Sequence, residues 1–205
     1  MLNRYSKKSC FIGAYHFEYG FSLVETLFAM AISSVVCIAA MTAIPPLLKQ
    51  TYQVYFQYQL DREVRMVLIN MEKDFRRIGY CGSSSCQGDA IKINTQSSSQ
   101  TNSCIIFAYD QDLSGDWINK NTKKIDTDFF GYRLNANKLE SNRNVTNCNG
   151  SRWQSLFDAK LVKVHQLYFN WYQANSLLEM TLSVETKSLP DKIFNYKTSI
   201  FLRNL

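Results

Sequence analysis

Residues able to do chemistry are scarce in this 205-residue chain. It has two histidines, His16 and His165. The second falls in a run that reads as a strand, where a lone imidazole is more often structural than catalytic. There is no G-x-S-x-G, no P-loop and no H-E-x-x-H, so the local signatures of a nucleophile elbow, a phosphate cradle and a zinc protease are absent. Carboxylates are present, 17 in all, but no spacing nominates an acid–base pair. Long basic runs are missing too. The net charge is +6, yet the densest clusters are the pairs Lys7-Lys8, Arg76-Arg77 and Lys123-Lys124. That pattern suits a basic tail beside a membrane and ordinary solvated surface better than a nucleic-acid groove. The chain also lacks an internal repeat. These absences turn the reading from an enzyme toward a structural or interaction protein.

What the chain does have is apolar surface. It is 46% hydrophobic and 14% aromatic, enough for one domain with a sizeable core beside a membrane anchor. The anchor is "GFSLVETLFAMAISSVVCIAAMTAI", residues 20 to 44. Thr26 to Ile44 is 19 residues, which at ~1.5 Å per residue spans one hydrocarbon core of ~30 Å. A cleaved secretory signal needs a small residue after a short apolar run; here Gly20 precedes the run, so cutting there keeps the anchor on the mature chain. Glu25 is the anomaly, since a carboxylate in lipid costs about 2.5–3.5 kcal/mol on insertion scales.

Beyond Pro45-Pro46 the period is helical. Leu60, Val64, Val67, Met71, Phe75 and Ile78 fall on one stripe, with Asp61, Arg62, Arg65, Lys73, Asp74 and Arg77 on other faces. This predicts an amphipathic helix closed at Gly79, with Arg76 and Arg77 suited to the negative end of its dipole. The tandem prolines predict a kink or a locally unwound stretch.

"GFSLVETLFAMAISSVV" resembles the processing site and N-terminal helix of type IV prepilins and type II secretion pseudopilins. "RRIGYCGSSSC" (76–86), "YDQDLSGDW" (109–117) and "CNGSRW" (148–153) are similar to the prepilin peptidase-dependent minor pilins, related to the W and J classes. The resemblance implies cleavage between Gly20 and Phe21 on the cytoplasmic side, N-methylation of Phe21, and pairing of Glu25 with the N-terminal ammonium of an adjacent subunit. In low dielectric each of those charges is costly alone, so their meeting enforces register. The leader departs from the family in one respect: "AYHFEY" rather than basic residues precedes Gly20.

The rest of the chain reads as a β-rich head. "LLEMTLSVE" and "IFNYKTSIFLR" alternate, "CIIFAYD" and "KLVKVHQLYFNWY" are further strand-like runs, and "FFGYRLNANKLES" predicts a hairpin about Asn135-Ala136-Asn137. "NTQSSSQTNS" (94–103) reads as an exposed loop. Cys10 and Cys37 fall in the leader and the span. Cys81, Cys86, Cys104 and Cys148 suit an oxidising periplasm and allow three pairings, of which Cys81–Cys86 with Cys104–Cys148 is preferred. A four-cysteine zinc site is the rival, without zinc-knuckle spacing. "DQDLSG" offers Asp110, Asp112, Ser114 and Asp116 as calcium ligands, but Asn121 stands where an EF-hand needs glutamate, and a polar turn explains the same residues.

The expectation is therefore an α+β, type IV pilin-like fold: a long N-terminal membrane-spanning helix packed by its C-terminal half on an antiparallel head. Its parts are a leader (1–20), a transmembrane half (21–44), an amphipathic half (45–79) and a periplasmic head (80–205). The expected function is a non-catalytic minor pilin, without cofactor unless calcium binds, that helps initiate or cap a type IV pilus. Its expected partners are prepilin peptidase, other minor and major pilins and an inner-membrane assembly platform. A J-type pseudopilin of a type II secretion system and a DNA-binding minor pilin of an uptake pilus are the alternatives. The second requires clustered Lys/Arg with aromatics on one face of the head.

Overall fold

Helix α1 runs unbroken from Leu23 to Phe75. It belongs to a computed structural model that describes residues 20–83, 86–94, 100–119, 124–125 and 128–205; most of the leader, with Cys10 and His16, lies outside the described residues. The chain divides into two units, residues 1–50 and 51–205. In the first, the helical assignment continues through Pro45-Pro46, so the unwound stretch expected there does not form. Two prolines remove only two N–H donors, and an apolar segment has every reason to keep the remaining backbone bonds internal. The helix also closes earlier than residue 78: residues 76–79 form a turn. Gly79 sits at φ 80°, a conformation that favours glycine after a helix end. Asn204 donates its side-chain amide to the carbonyl of Ile78, satisfying an acceptor the helix leaves open.

The second unit is built on antiparallel pairing. One sheet has the order β1 (Ile91–Asn94), β2 (Cys104–Ala108), β5 (Phe129–Asn135), β6 (Lys138–Arg143) and β7 (Gln154–Ser155). A second has β10 (Leu189–Phe201), β9 (Leu177–Thr186) and β8 (Val162–Tyr172), and the short β3 (Ile118–Asn119) and β4 (Lys124–Ile125) form a two-stranded ribbon. The fold is the α+β class the pattern predicts, an apolar N-terminal helix plus antiparallel sheets.

The predicted stripe is what meets the sheets. Leu60, Val64, Met71 and Phe75 of α1 are buried with Phe107, Tyr132, Leu167, Phe169, Leu178, Met180 and Leu182. Phe75 is the keystone: its ring meets Phe107, Tyr132 and Phe169 edge-on at centroid distances of 5.4, 5.7 and 5.9 Å, the arrangement the ring quadrupoles prefer. In β9 the alternate residues Leu178, Met180, Leu182 and Val184 are buried, as a strand with one core face requires.

Strand β8 breaks that alternation. Its core residues are Val162, Val164, Leu167 and Phe169, a spacing of two, three and two. The extra residue is absorbed by a register shift between Val164 and Gln166, a β-bulge that puts the apolar set back in phase. His165 is the bulged residue, and its Nε2 meets the Glu185 carboxylate on β9. The β5–β6 hairpin turns on Ala136 and Asn137 at φ 46° and 62°, the type I′ geometry that matches strand twist. The 94–103 segment is not wholly an exposed loop: Asn94 pairs in β1 and Ser103 is buried, while residues 95–99 lie outside the described residues.

Candidate functional site

In the first unit the chemistry is confined to the start of α1. Gly20 and Phe21 are exposed, and Glu25 falls in the first helical turn. The hydroxyls of Thr26, Ser33, Ser34 and Thr42 each return a hydrogen bond to a carbonyl of the same helix, at 2.7–3.1 Å. Internal bonding of this kind is what a segment in hydrocarbon needs. Glu25 has no such partner among the described residues. The helix is long and apolar enough to cross a membrane once.

Two disulfides tie the second unit. Cys81 joins Cys86, and Cys104 joins Cys148. Cys104 and Cys148 are buried with Ile106 and Val145 on the sheet face away from α1, capped by Trp153. Arg133 lies over the Trp153 ring at 4.3 Å, donates to Glu140 at 2.8 Å and gives a second N–H to the Cys148 carbonyl at 2.7 Å. An arginine 7% exposed is thereby paired and stacked, which burial of a guanidinium demands.

The "DQDLSG" turn is organised by one buried carboxylate. Asp110, 2% exposed, accepts backbone N–H bonds from Gly82 and Gly115 at 2.9 Å and from Ser114 at 3.0 Å. Asp110, Asp112 and Asp128 bring carboxylate oxygens within 4.8 Å of one another. Asp128 is an addition to the set read from sequence. Asp116 is not among the three carboxylates that converge; the Ser114 hydroxyl donates to the Asp116 carbonyl, while its N–H donates to the carboxylates of Asp110 and Asp112. Those hydrogen bonds from Ser114 hold the exposed Asp112 carboxyl below the usual aspartate range. Asn121 lies outside the described residues.

A second polar device anchors α1 to the sheet. Asp74 accepts from the hydroxyls of Tyr132 at 2.7 Å and Tyr109 at 3.4 Å. Burial, then the Asp74 charge, push the Tyr132 phenol well above its ordinary range; in the same way burial and the Asp61 carboxylate push Tyr196 up to about 12. A phenol that binds its proton more tightly in the folded chain makes stability fall as pH rises from about 10, where the unfolded phenols ionise. For Tyr196 that loss runs to about pH 12. Tyr132→Phe is expected to lower stability at neutral pH by about 1–2 kcal/mol through the lost bond to Asp74, and to shrink the alkaline loss. Urea midpoints of both chains at neutral pH and above pH 10 measure this; an unchanged alkaline slope would count against the assignment.

A single-pass apolar helix behind a Gly-Phe junction with Glu five residues in, leading into a disulfide-tied antiparallel unit, defines a pilin-like membrane-anchored protein. A family model described as Prepilin peptidase-dependent protein B matches residues 53–202, and one described as the Prokaryotic N-terminal methylation motif matches residues 16–41. The Prepilin peptidase-dependent protein B of Escherichia coli is 30% identical over 191 residues, 92% of this chain and 98% of that one. An uncharacterized protein of Haemophilus influenzae is 25% identical, across 69% of this chain and 77% of its own. No solved structure matches. The chain belongs to the prepilin peptidase-dependent protein B family of type IV minor pilins.

Proposed function

We propose that this chain is a minor pilin subunit that helps initiate or cap type IV pilus assembly and catalyses nothing itself. In this reading prepilin peptidase removes residues 1–20 and methylates Phe21. Residues 21–44 then anchor the chain in the bacterial inner membrane, 45–79 continue the helix to Phe75 and close it in a turn, and 80–205 form a periplasmic head, the compartment in which the two disulfides persist. The partners are other minor and major pilins and the inner-membrane assembly platform. Calcium at the Asp110–Asp112–Asp128 cluster is a secondary element of the proposal, tested by whether the cation raises the thermal midpoint.

The observation that carries the reading is Glu25: an intramembrane carboxylate without a partner in its own helix, directly after a prepilin-type junction. Its partner is the Phe21 ammonium of a neighbouring subunit, where each charge relieves the other's desolvation cost. Glu25→Ala is expected to leave insertion intact, since the run becomes more apolar, and to impair crosslinking to other pilins and pilus initiation. Crosslinked heterodimers measured against total processed protein decide the matter; unchanged crosslinking with normal piliation would remove the pairing role. Intact mass of membrane-extracted protein tests processing, with a methylated chain beginning at Phe21 expected.

A further inference from the structure

The second unit carries a cleft of about 330 Å³ on the sheet, bordered by the end of α1. Asp74, Ser141, Asn142 and Gln154 line it together with Phe130, Gly131 and Tyr132. Arg143 and Arg152 line it from exposed positions. Every other arginine ion pair of the described residues lies elsewhere, at Arg65, Arg76 and Arg133; neither Arg143 nor Arg152 forms one. Arg143 lies 5.8 Å above the Phe130 ring, and Arg152 is held at φ 71°, a conformation uncommon outside glycine that clusters at binding sites.

We propose that this cleft is a receptor for an acidic segment of another polypeptide, with Arg143 and Arg152 each taking one carboxylate. Guanidinium forks match carboxylates in two parallel hydrogen bonds and are weakly hydrated, so two unpaired ones lining one cleft form an anion-recognition site. The Ser141 hydroxyl and the Gln154 amide supply donors and acceptors that a peptide backbone needs beside its charges, while the Asn142 amide is engaged with the Ser151 carbonyl and the Arg143 N–H. Asp74 repels carboxylates and phosphates alike, but it offers an acceptor to a peptide backbone N–H, a donor that a phosphate backbone lacks. The rings decide in the same direction. Tyr109 and Phe130, stacked at 4.4 Å, are 3% and 5% exposed, so no base can stack on them, and stacking is the usual basis of single-strand binding. The arginine–aromatic cluster demanded of a DNA-binding head is therefore present in residue type, but its rings are turned into the core.

The test uses the full chain in detergent micelles and a fluorescein-labelled hexaglutamate peptide, followed by anisotropy at low salt. Saturable binding that weakens with added salt is expected, with a loss of at least about tenfold in the Arg143→Gln/Arg152→Gln double variant. The same net charge removed elsewhere, in Lys160→Gln/Lys187→Gln, should leave affinity within about twofold, and the thermal midpoint of each variant reports that it is folded. Arg143→Lys should retain only part of the affinity, because an ammonium lacks the fork. The proposal is overturned if hexaglutamate does not bind saturably, if the arginine double variant binds as wild type does, or if a single-stranded oligothymidine binds more tightly through the same two arginines.

Discussion

Asp110→Ala is expected to lower the stability of the chain by about 3–5 kcal/mol, the largest effect of any single substitution considered. The side chain is small and the cavity slight; the cost arises from what it leaves behind. Three backbone N–H groups, of Gly82, Ser114 and Gly115, lose a charged acceptor. Ser114 keeps its second acceptor on Asp112, so the heaviest loss falls on the buried Gly115, and a buried donor deprived of its acceptor costs about 1–3 kcal/mol. Two loops lose their shared fastening at once, since Gly82 belongs to the Cys81–Cys86 segment and Gly115 to the "DQDLSG" turn. Asp110→Asn keeps one carbonyl acceptor and should recover part of the loss. Urea unfolding of the three chains ranks them, and an alanine variant within about 1 kcal/mol of wild type would show that the carboxylate is not the organiser.

The second large effect concerns the disulfides, which differ in the length of chain they close. Cys104–Cys148 spans 44 positions and Cys81–Cys86 spans 5. In the chain-entropy account these correspond to about 4 and about 2 kcal/mol of restriction on the unfolded ensemble. The longer bridge is also packed against Ile106 and Val145. Cys104→Ala/Cys148→Ala should therefore be the more damaging pair, and reductant should shift the urea midpoint of wild type and of Cys81→Ala/Cys86→Ala much more than that of the first variant. The reverse order of damage would refute this account. Non-reduced peptide mapping establishes the pairing independently.

Much of this architecture was legible because it rests on short-range periodicity. The α1 stripe from Leu60 to Phe75, the alternation in β9 and β10 and the turn at Ala136-Asn137 are all written in spacings of two, three and four residues. The helix end was less legible, since Gly79 marks the turn's close rather than the helix's last residue. What could not be read was whatever depends on two distant segments meeting. Asp128 joins Asp110 because Ala108 and Phe129 are register partners, placing the residues just outside β2 and β5 side by side; nothing near Asp128 in the sequence announces that. The same holds for Arg143, Arg152 and Asp74, which reach one cleft only after β6 and β7 have paired beside the end of α1. Two-residue strands such as β3, β4 and β7 carry too few positions to show a pattern at all.

The bulge at His165 makes the length of β8 adjustable. If His165 were deleted, Val162, Val164, Leu167 and Phe169 would fall at strict intervals of two, and all four would still face inward. The deletion would sacrifice the contact with Glu185 and the bond that Gln100 donates to the His165 carbonyl, but none of the buried apolar set. A strand interior is ordinarily where a missing residue is least tolerated, because every side chain beyond it changes face. Here the strand interior holds a place where the chain can lose a residue and keep its buried set in phase. Alignments of the family should accordingly admit a gap between Val164 and Leu167, in the middle of an element that otherwise forbids one.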